Sequence, residues 1–274
     1  MLVSYHNHTS WSDGRHTIPE LVACACAAGI NELGISDHFA ITPDGRTPDW
    51  SIQAENLDVY VEDVLQAAQN AIKTGAMTIR LGAEVDFFPE TLEKTISLLK
   101  PYPFDFIIGS VHFVDEFVID MNADPWEEIS QEERNRIWQA YWSNIAAAAR
   151  SGCFDFIGHF DLPKKFKFYP DIDLTEDALA ALDAIAASDA ALEINTSGWY
   201  KPVREAYPKL FYLEEAHRRN IPLLINADAH YSNHLTRDFK QARKLALTAG
   251  YTELVRYEKR KRFSYPLENQ PNQS

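Results

Sequence analysis

The chain is short of cysteine, short of basic residues and without any long apolar run, and each shortage narrows what it does. Cysteine occurs three times in 274 residues, as Cys24, Cys26 and Cys153. An odd count with no pairing logic argues against a disulfide framework. Cys24 and Cys26 stand two apart in a predicted helix and so point in different directions; all three read as buried small hydrophobes. No segment reaches the apolar length of a membrane span, and no charged-then-apolar leader precedes Tyr5, which already belongs to a predicted strand. A soluble cytoplasmic protein is the expectation. Lys and Arg together number 26 against 40 Asp and Glu, for a formal net charge of −14. A phosphate backbone is bound mainly through Lys and Arg, so a nucleic-acid partner is disfavoured. Lys164, Lys165 and Lys167 form the one local basic cluster, which reads as a solvated loop or, lying just after His159, as a substrate clamp. Metal cations among the carboxylates would cancel part of the acidity.

What is present is a large apolar fraction, 46%, in a chain of a length that α/β barrels reach as one domain. Seven short runs read as strands, at 2–6, 32–38, 78–87, 104–112, 154–160, 191–196 and 222–228. They are too uniformly apolar for a half-exposed sheet, as buried parallel strands are. Helical patterns lie between them. Thr17-Ile18-Pro19-Glu20 has the form of a capping box and Gly29 closes that helix; Ser130-Gln131-Glu132-Glu133 repeats the form ahead of a helix followed by Gly152. Further helices fit 57–74, 90–99, 176–187, 207–219 and 239–248. Trp138, Tyr141, Trp142 and Ile145 recur at helical spacing and mark packing or a subunit interface. A βα unit repeated about seven times implies a parallel, right-handed winding, one repeat short of the common eight. One domain over 1–268 and a polar, frayed tail at 269–274 are expected. The oligomeric state is left open.

Six of the nine histidines stand at or just past the ends of these runs: His6, His8, His38, His112, His159 and His230. Asp13, Glu84 and Asp228 share the placement. Histidine and carboxylate are the ligand set of zinc, iron or manganese. Nine such residues exceed what one ion needs and suit two or three. His6 and His8 are two apart at a strand end, so alternation turns both to one face; Asp228 and His230 repeat the arrangement. A lone His-x-His is a weak signal, but strand ends of a βα barrel converge on one face, which gathers the scattered residues into one hydrolytic metal site. His217 and His234 fit no strand end and read as surface residues.

These residues carry a resemblance. His6-Asn7-His8-Thr9-Ser10-Trp11-Ser12-Asp13-Gly14 is similar to the first motif of the PHP (polymerase and histidinol phosphatase) superfamily of metal-dependent phosphoesterases. Ser36-Asp37-His38, Gly82-Ala83-Glu84, Gly109-Ser110-Val111-His112, Gly158-His159 and Asp228-Ala229-His230 match its later motifs in order, over residues 5 to about 235. The resemblance implies a distorted, TIM-like (β/α)7 barrel holding three divalent ions, Zn, Fe or Mn. His6, His8, Glu84 and Asp228 would hold one ion, Glu84 with His112 and His159 a second, and Asp13, His38 and His230 the third. His16, near Asp13, is the alternative at the third ion; Asp13 is favoured because it precedes Gly14, and His16 reads as a rim residue. The implied chemistry is in-line attack on phosphorus by a hydroxide bridging two ions, with Asp228 orienting the nucleophile and His230 or His38 assisting the leaving group.

Three stretches narrow the resemblance to the monofunctional histidinol phosphatases: Gly158-His159-Phe160-Asp161-Leu162-Pro163-Lys164-Lys165-Phe166, Glu193-Ile194-Asn195-Thr196-Ser197-Gly198, and Lys201-Pro202 with Glu205-Ala206-Tyr207-Pro208. Val111-His112-Phe113 followed by Ile119-Asp120 agrees. That branch implies a small phosphate ester, L-histidinol phosphate, as substrate; another small ester or a nucleotide or oligonucleotide end is the alternative. Asp161, Lys165, Trp199, Lys201 and Arg204 are the candidate substrate contacts, Asp161 for an amino group or to steady a neighbouring ligand, Trp199 and Tyr200 as an aromatic wall. Tyr200 stands where that branch often has Arg, and Asn226-Ala227 replace the more usual Gly-Ser. A lost guanidinium matters for a phosphate ester, and Arg204 or Lys165 would supply the charge.

Overall fold

All seven apolar runs become strands of one parallel barrel in the computed structural model, which describes residues 1–267. Strand β1 is Val3–Ser4, β2 Glu32–Ile35, β3 His38–Phe39, β4 Thr78–Asp86 and β5 Phe106–Ser110. A hairpin, β6 Phe113–Val114 and β7 Phe117–Val118, precedes β8 Phe156–Ile157, β9 Ala191–Asn195 and β10 Leu223–Asn226. A second hairpin, β11 Glu253–Glu258 and β12 Lys261–Pro266, ends the described chain. The barrel order is β1-β2-β4-β5-β8-β9-β10, with β3 continuing the β2 run and pairing β4. Past β10 the chain closes on the residues after β1 through a parallel Asn7–Ala229 bridge. His8 N–H donates to the Ala229 carbonyl at 2.9 Å and Ala229 N–H to the His6 carbonyl at 3.1 Å. Closure therefore occurs at the C-terminal rim, among the predicted ligands themselves.

Eight helices wrap the outside: α1 Ile18–Ala27, α2 Leu57–Thr74, α3 Leu92–Leu99, α4 Asp124–Glu128, α5 Gln131–Arg150, α6 Thr175–Ser188, α7 Leu210–Arg218 and α8 Phe239–Thr248, among the described residues. The Glu20 carboxylate accepts from both the N–H and the hydroxyl of Thr17, and Ser130 Oγ accepts from Glu133 N–H, so both predicted starts carry their caps. On α5, Trp138, Tyr141, Trp142 and Ile145 are buried, which assigns them to packing.

Inside the barrel, the Phe106 ring stacks on Tyr5 (4.6 Å) and on Phe156 (5.8 Å), and Phe156 on Tyr257 (6.0 Å). This aromatic column requires Gly82: a Cβ there would stand 2.2 Å from Phe106 Cζ. The β11–β12 hairpin seals the N-terminal end. Tyr257 N–H donates to Tyr5 Oη at 2.9 Å, the Tyr5 hydroxyl donates to Glu32, and Arg80 pairs with Glu32 at 3.1 Å.

Two expectations need correction. The cysteines are not buried: Cys26 is exposed, Cys24 and Cys153 half-buried. Helix α1 turns Ile18, Leu21 and Ala25 to the sheet, and a helix has no second inward face for Cys26. The helix expected over 207–219 starts at Leu210, because Tyr207 bridges antiparallel to Asn195 and holds the chain extended. Neither hairpin was foreseen. In the second, Lys259 and Arg260 both take positive φ (51° and 61°), a turn conformation normally signalled by Asn or Gly. Residue 268 and the stretch expected to fray, 269–274, lie outside the described residues.

Candidate metal centre

The six histidines and three carboxylates converge at the C-terminal rim in overlapping groups. His8, Asp13, His38 and His230 form one; His6, His8 and Glu84 another; His6, His159 and Asp228 a third; Glu84, His112 and His159 a fourth; within each group one donor atom per residue lies within 4.8 Å of the others. Glu84, on β4, is the hub. Its Oε1 is 2.9 Å from His159 Nε2 and 3.6 Å from His112 Nε2. Its Oε2 is 3.0 Å from His6 Nε2, 3.1 Å from His38 Nδ1 and 3.4 Å from His8 Nε2. Asp228 Oδ1 approaches His8 Nε2 at 3.3 Å and His6 Nε2 at 3.7 Å. Asp13, the exposed member, reaches His230 Nε2 at 3.1 Å. His16 stays on the rim, its Nε2 3.2 Å from Ser232 Oγ.

Buried polar atoms are ordinarily paired. Here His6 Nε2, both ring nitrogens of His8, His38 Nδ1 and Glu84 Oε2 are buried without a hydrogen-bond partner. Lone pairs of imidazole and carboxylate crowded together and left unpaired are a donor set that fits divalent zinc, iron or manganese.

An outer layer fixes these donors. His112 Nδ1 faces Asp86 Oδ1 at 2.8 Å, and His6 Nδ1 faces Glu193 Oε1 at 2.8 Å. A carboxylate behind an imidazole sets its tautomer and presents the other nitrogen. The second oxygen of Glu193 accepts from His159 N–H at 3.0 Å, Asn226 Nδ2 donates to Glu193 at 2.9 Å, and Asn195 Nδ2 donates to Asp228 at 3.2 Å. Ser110 Oγ donates to Glu84 at 2.6 Å. Buried Asp37 ties down the loop carrying Asp13, accepting from Thr9 N–H (2.7 Å), Thr9 Oγ1 (2.8 Å) and Ser12 Oγ (2.6 Å). Gly14 lets that loop double back: a Cβ would stand 2.4 Å from the His8 carbonyl. His159 and Asp228 both have positive φ, 24° and 53°, strain of the kind found where side-chain aim outweighs backbone comfort.

The electrostatics of the metal-free site are divided. Burial opposes charge on His6, but Glu84, Glu193 and Asp228 outweigh it and its pKa rises well above the usual value. Against the same burial, Asp86 and Glu84 push His112 up to about 10, and Asp13 and Asp228 push His230 up to about 9. His38 goes the other way, to about 4, since burial and the neighbouring His8 and His112 outweigh Glu84; His8 is lowered as well, by burial and His230. Burial would raise Glu84 and Asp228, yet the surrounding histidines hold both well below the carboxylate range.

The cluster opens into a cavity of about 800 Å³ whose lining includes Lys165 and Lys201 among the predicted substrate contacts. Asp161, Trp199 and Arg204 do not line it. Asp161 is buried and paired with Lys164 at 2.9 Å, in the lining of a neighbouring cavity; Arg204 is exposed. His234, expected on the open surface, is half-buried and lines the cavity, while His217 is exposed. Asp86, Glu193 and Asp37 were missed as supports. The signal for Asp86 was present: two residues after Glu84 on one strand, it shares that face.

A parallel βα barrel with a histidine–carboxylate cluster at its C-terminal rim is the architecture of a metal-dependent hydrolase. The chain belongs to the PHP domain family, which residues 4–197 match. It is 35% identical over 260 residues to a probable histidinol-phosphatase of Deinococcus radiodurans, spanning 94% of this chain and 98% of that one. The histidinol-phosphatase of Lactococcus lactis is 24% identical over 264 residues, 93% of this chain and 94% of that one. The crystal structure of histidinol phosphate phosphatase from L. lactis, complexed with Zn, L-histidinol and phosphate, shares the fold, with TM-score 0.80 and 23% identity over 96% of this chain and 98% of that one. A putative histidinol phosphatase of Listeria monocytogenes does too, with TM-score 0.75 and 22% identity over 87% of this chain and 99% of that one.

Proposed function

We propose that the chain is a phosphoric monoester hydrolase that converts L-histidinol phosphate to L-histidinol and phosphate, a step of histidine biosynthesis, in the cytoplasm. The observation that carries the chemistry is Glu84, whose two oxygens are approached by separate sets of imidazoles, as a carboxylate shared between two ions would be. The substrate follows from full-length likeness to relatives bearing that activity as their name. Three divalent ions fit the donors: one on His6, His8, Glu84 and Asp228, one on Glu84, His112 and His159, one on Asp13, His38 and His230. When bound, such ions supply Lewis acidity, acidifying water to a nucleophile near neutral pH and neutralising charge on phosphoryl oxygens.

The chain's own groups do the positioning. Asp228, ionised and steered by Asn195, is placed to orient the attacking water. Lys201, and Lys165 beside Asp120, line the cavity that receives the ester. As the P–O bond to the alcohol breaks, that oxygen takes up a proton. His230 and His38, both in the cavity lining, are the candidates to assist that oxygen. The test is phosphate release from L-histidinol phosphate against p-nitrophenyl phosphate and a short oligonucleotide, with defined Mn, Zn or Fe. A strong kcat/KM preference for L-histidinol phosphate is expected; preference for either competitor refutes the substrate.

A further inference from the structure

Arg237 has a place in this cavity that neither the ligand cluster nor the barrel explains. It lines the cavity wall, yet among the described residues it forms no ion pair, and its Nε is buried with no hydrogen-bond partner. Two nearby lysines differ. Lys165 is neutralised by Asp120 at 3.0 Å, and Lys164 by Asp161 and Glu205 at 2.9 and 2.7 Å. A guanidinium left uncompensated in a half-buried wall is costly unless an anion arrives to complete it.

The group is also held still. Its central carbon lies 3.7 Å from the centroid of the Tyr200 ring, and the Tyr200 hydroxyl donates to Asp238, which fixes the ring beneath it. The Arg237 carbonyl accepts from Thr196 Oγ1 at 2.8 Å and its N–H donates to the His234 carbonyl at 3.0 Å. A planar fork stacked on a ring is preorganised for two parallel hydrogen bonds to a tetrahedral oxyanion. Lys201, also without an ion pair, stands close enough for burial, Lys165 and Arg237 to pull its pKa below the usual value, against the pull of Asp228 and Asp120. The cavity thus has a cationic wall facing a cluster that metal ions would also make positive.

We propose that Arg237, stacked on Tyr200, grips the phosphoryl group of the substrate and of the phosphate product. The assignment rests on the phosphomonoesterase reading but not on which alcohol the ester carries. The test uses the metal-loaded protein, with metal content measured in every variant and inorganic phosphate as the probe in calorimetry. Arg237→Gln is expected to weaken phosphate binding roughly 10- to 100-fold, the range for losing hydrogen bonds to a charged group. It should raise KM for L-histidinol phosphate and p-nitrophenyl phosphate by the same factor, and Arg237→Lys should recover part of the loss. Tyr200→Leu, at an exposed ring whose loss leaves the fold intact, should weaken phosphate roughly three- to ten-fold by freeing the fork. Phosphate affinity within two-fold of wild type in folded, fully loaded Arg237→Gln overturns the proposal; if that variant does not fold, unchanged affinity in Tyr200→Leu overturns it. A wild-type preference for another ester would overturn the histidinol reading while leaving the phosphate measurement to decide on Arg237.

Discussion

Glu84→Gln is the sharpest perturbation of the site, because it changes charge without changing volume at a side chain that is almost fully buried. Ser110 Oγ donates to Oε1 at 2.6 Å. An amide keeps that bond only by turning its oxygen toward Ser110 and His159. Its NH2 then faces His6, His38 and His8, where three nitrogens now surround Oε2 at 3.0, 3.1 and 3.4 Å. A donor is placed where a cation is expected. Losing one charge-assisted partner costs about 1.5–3 kcal/mol. Both oxygens serve separate groups, so the loss is about 3–6 kcal/mol, or roughly 10²- to 10⁴-fold in kcat/KM. The assay is phosphate release at saturating metal, with bound metal measured by mass spectrometry and the fold by circular dichroism. A folded variant that keeps the full metal complement and a kcat/KM within about five-fold of wild type would refute Glu84 as a shared ligand.

Asp86→Ala removes the acceptor behind His112 Nδ1; it should lower metal affinity at that position by about 10- to 100-fold, with activity restored by excess metal. Failure of added metal to rescue would place Asp86 in the chemistry instead. In the metal-free protein His112 and His230, with pKa values of about 10 and about 9, carry protons at pH 7.5. Metal must displace them, so loading should release about one proton per group at that pH, less as pH rises toward 10, and apparent metal affinity should increase over the same window. Calorimetry in buffers of different ionisation enthalpy reads this, and proton uptake would contradict it. Trp142→Ala, which leaves a void between Phe160 and Tyr212 (ring centroids at 5.0 and 5.6 Å), should cost about 3–5 kcal/mol in urea unfolding; a loss below 1 kcal/mol would mean the shell is not packed as described.

The barrel and the convergence of the nine residues on its rim were legible because both obey strand geometry. His6 and His8, or Asp228 and His230, needed only alternation and the end of an apolar run to be placed together. The supports were half-legible: Asp86 shares a face with Glu84, and Glu193 is the one charge inside the apolar run of β9. Arg237 was not legible at all. It follows a short helical turn, Ser232–His234, and meets Tyr200 only through tertiary packing. The unusual Tyr200 signalled that a cation was missing, but nothing local said which arginine replaced it, and Arg204, nearer in sequence, is turned out to solvent. The closing hairpin was hidden for a similar reason, its turn being built from Lys259 and Arg260 rather than from residues that prefer positive φ.

The divided protonation of the cluster explains why so much of the sequence is spent on its supports. The rings of His8 and His38 are 4.4 Å apart, and those of His8 and His230 4.2 Å, so all cannot be protonated together. Glu84 and Glu193, buried, and Asp228, half-buried, are ionised beside them, so all cannot be neutral either. Without metal, one part of the cluster holds protons while the other gives them up, and no arrangement satisfies every donor. Divalent ions would remove the conflict: every imidazole would become neutral, every carboxylate would stay charged, and the unpaired nitrogens would gain partners. The favourable geometry must exist before the ion arrives, which the metal-free electrostatics oppose. Asp86, Glu193, Asp37 and the bridge between Asn7 and Ala229 hold it against that opposition, and the sealed aromatic column beneath keeps the rim from relaxing. Part of the binding free energy of such ions would therefore return as stability of the fold, which would couple the integrity of the barrel to the occupancy of its site.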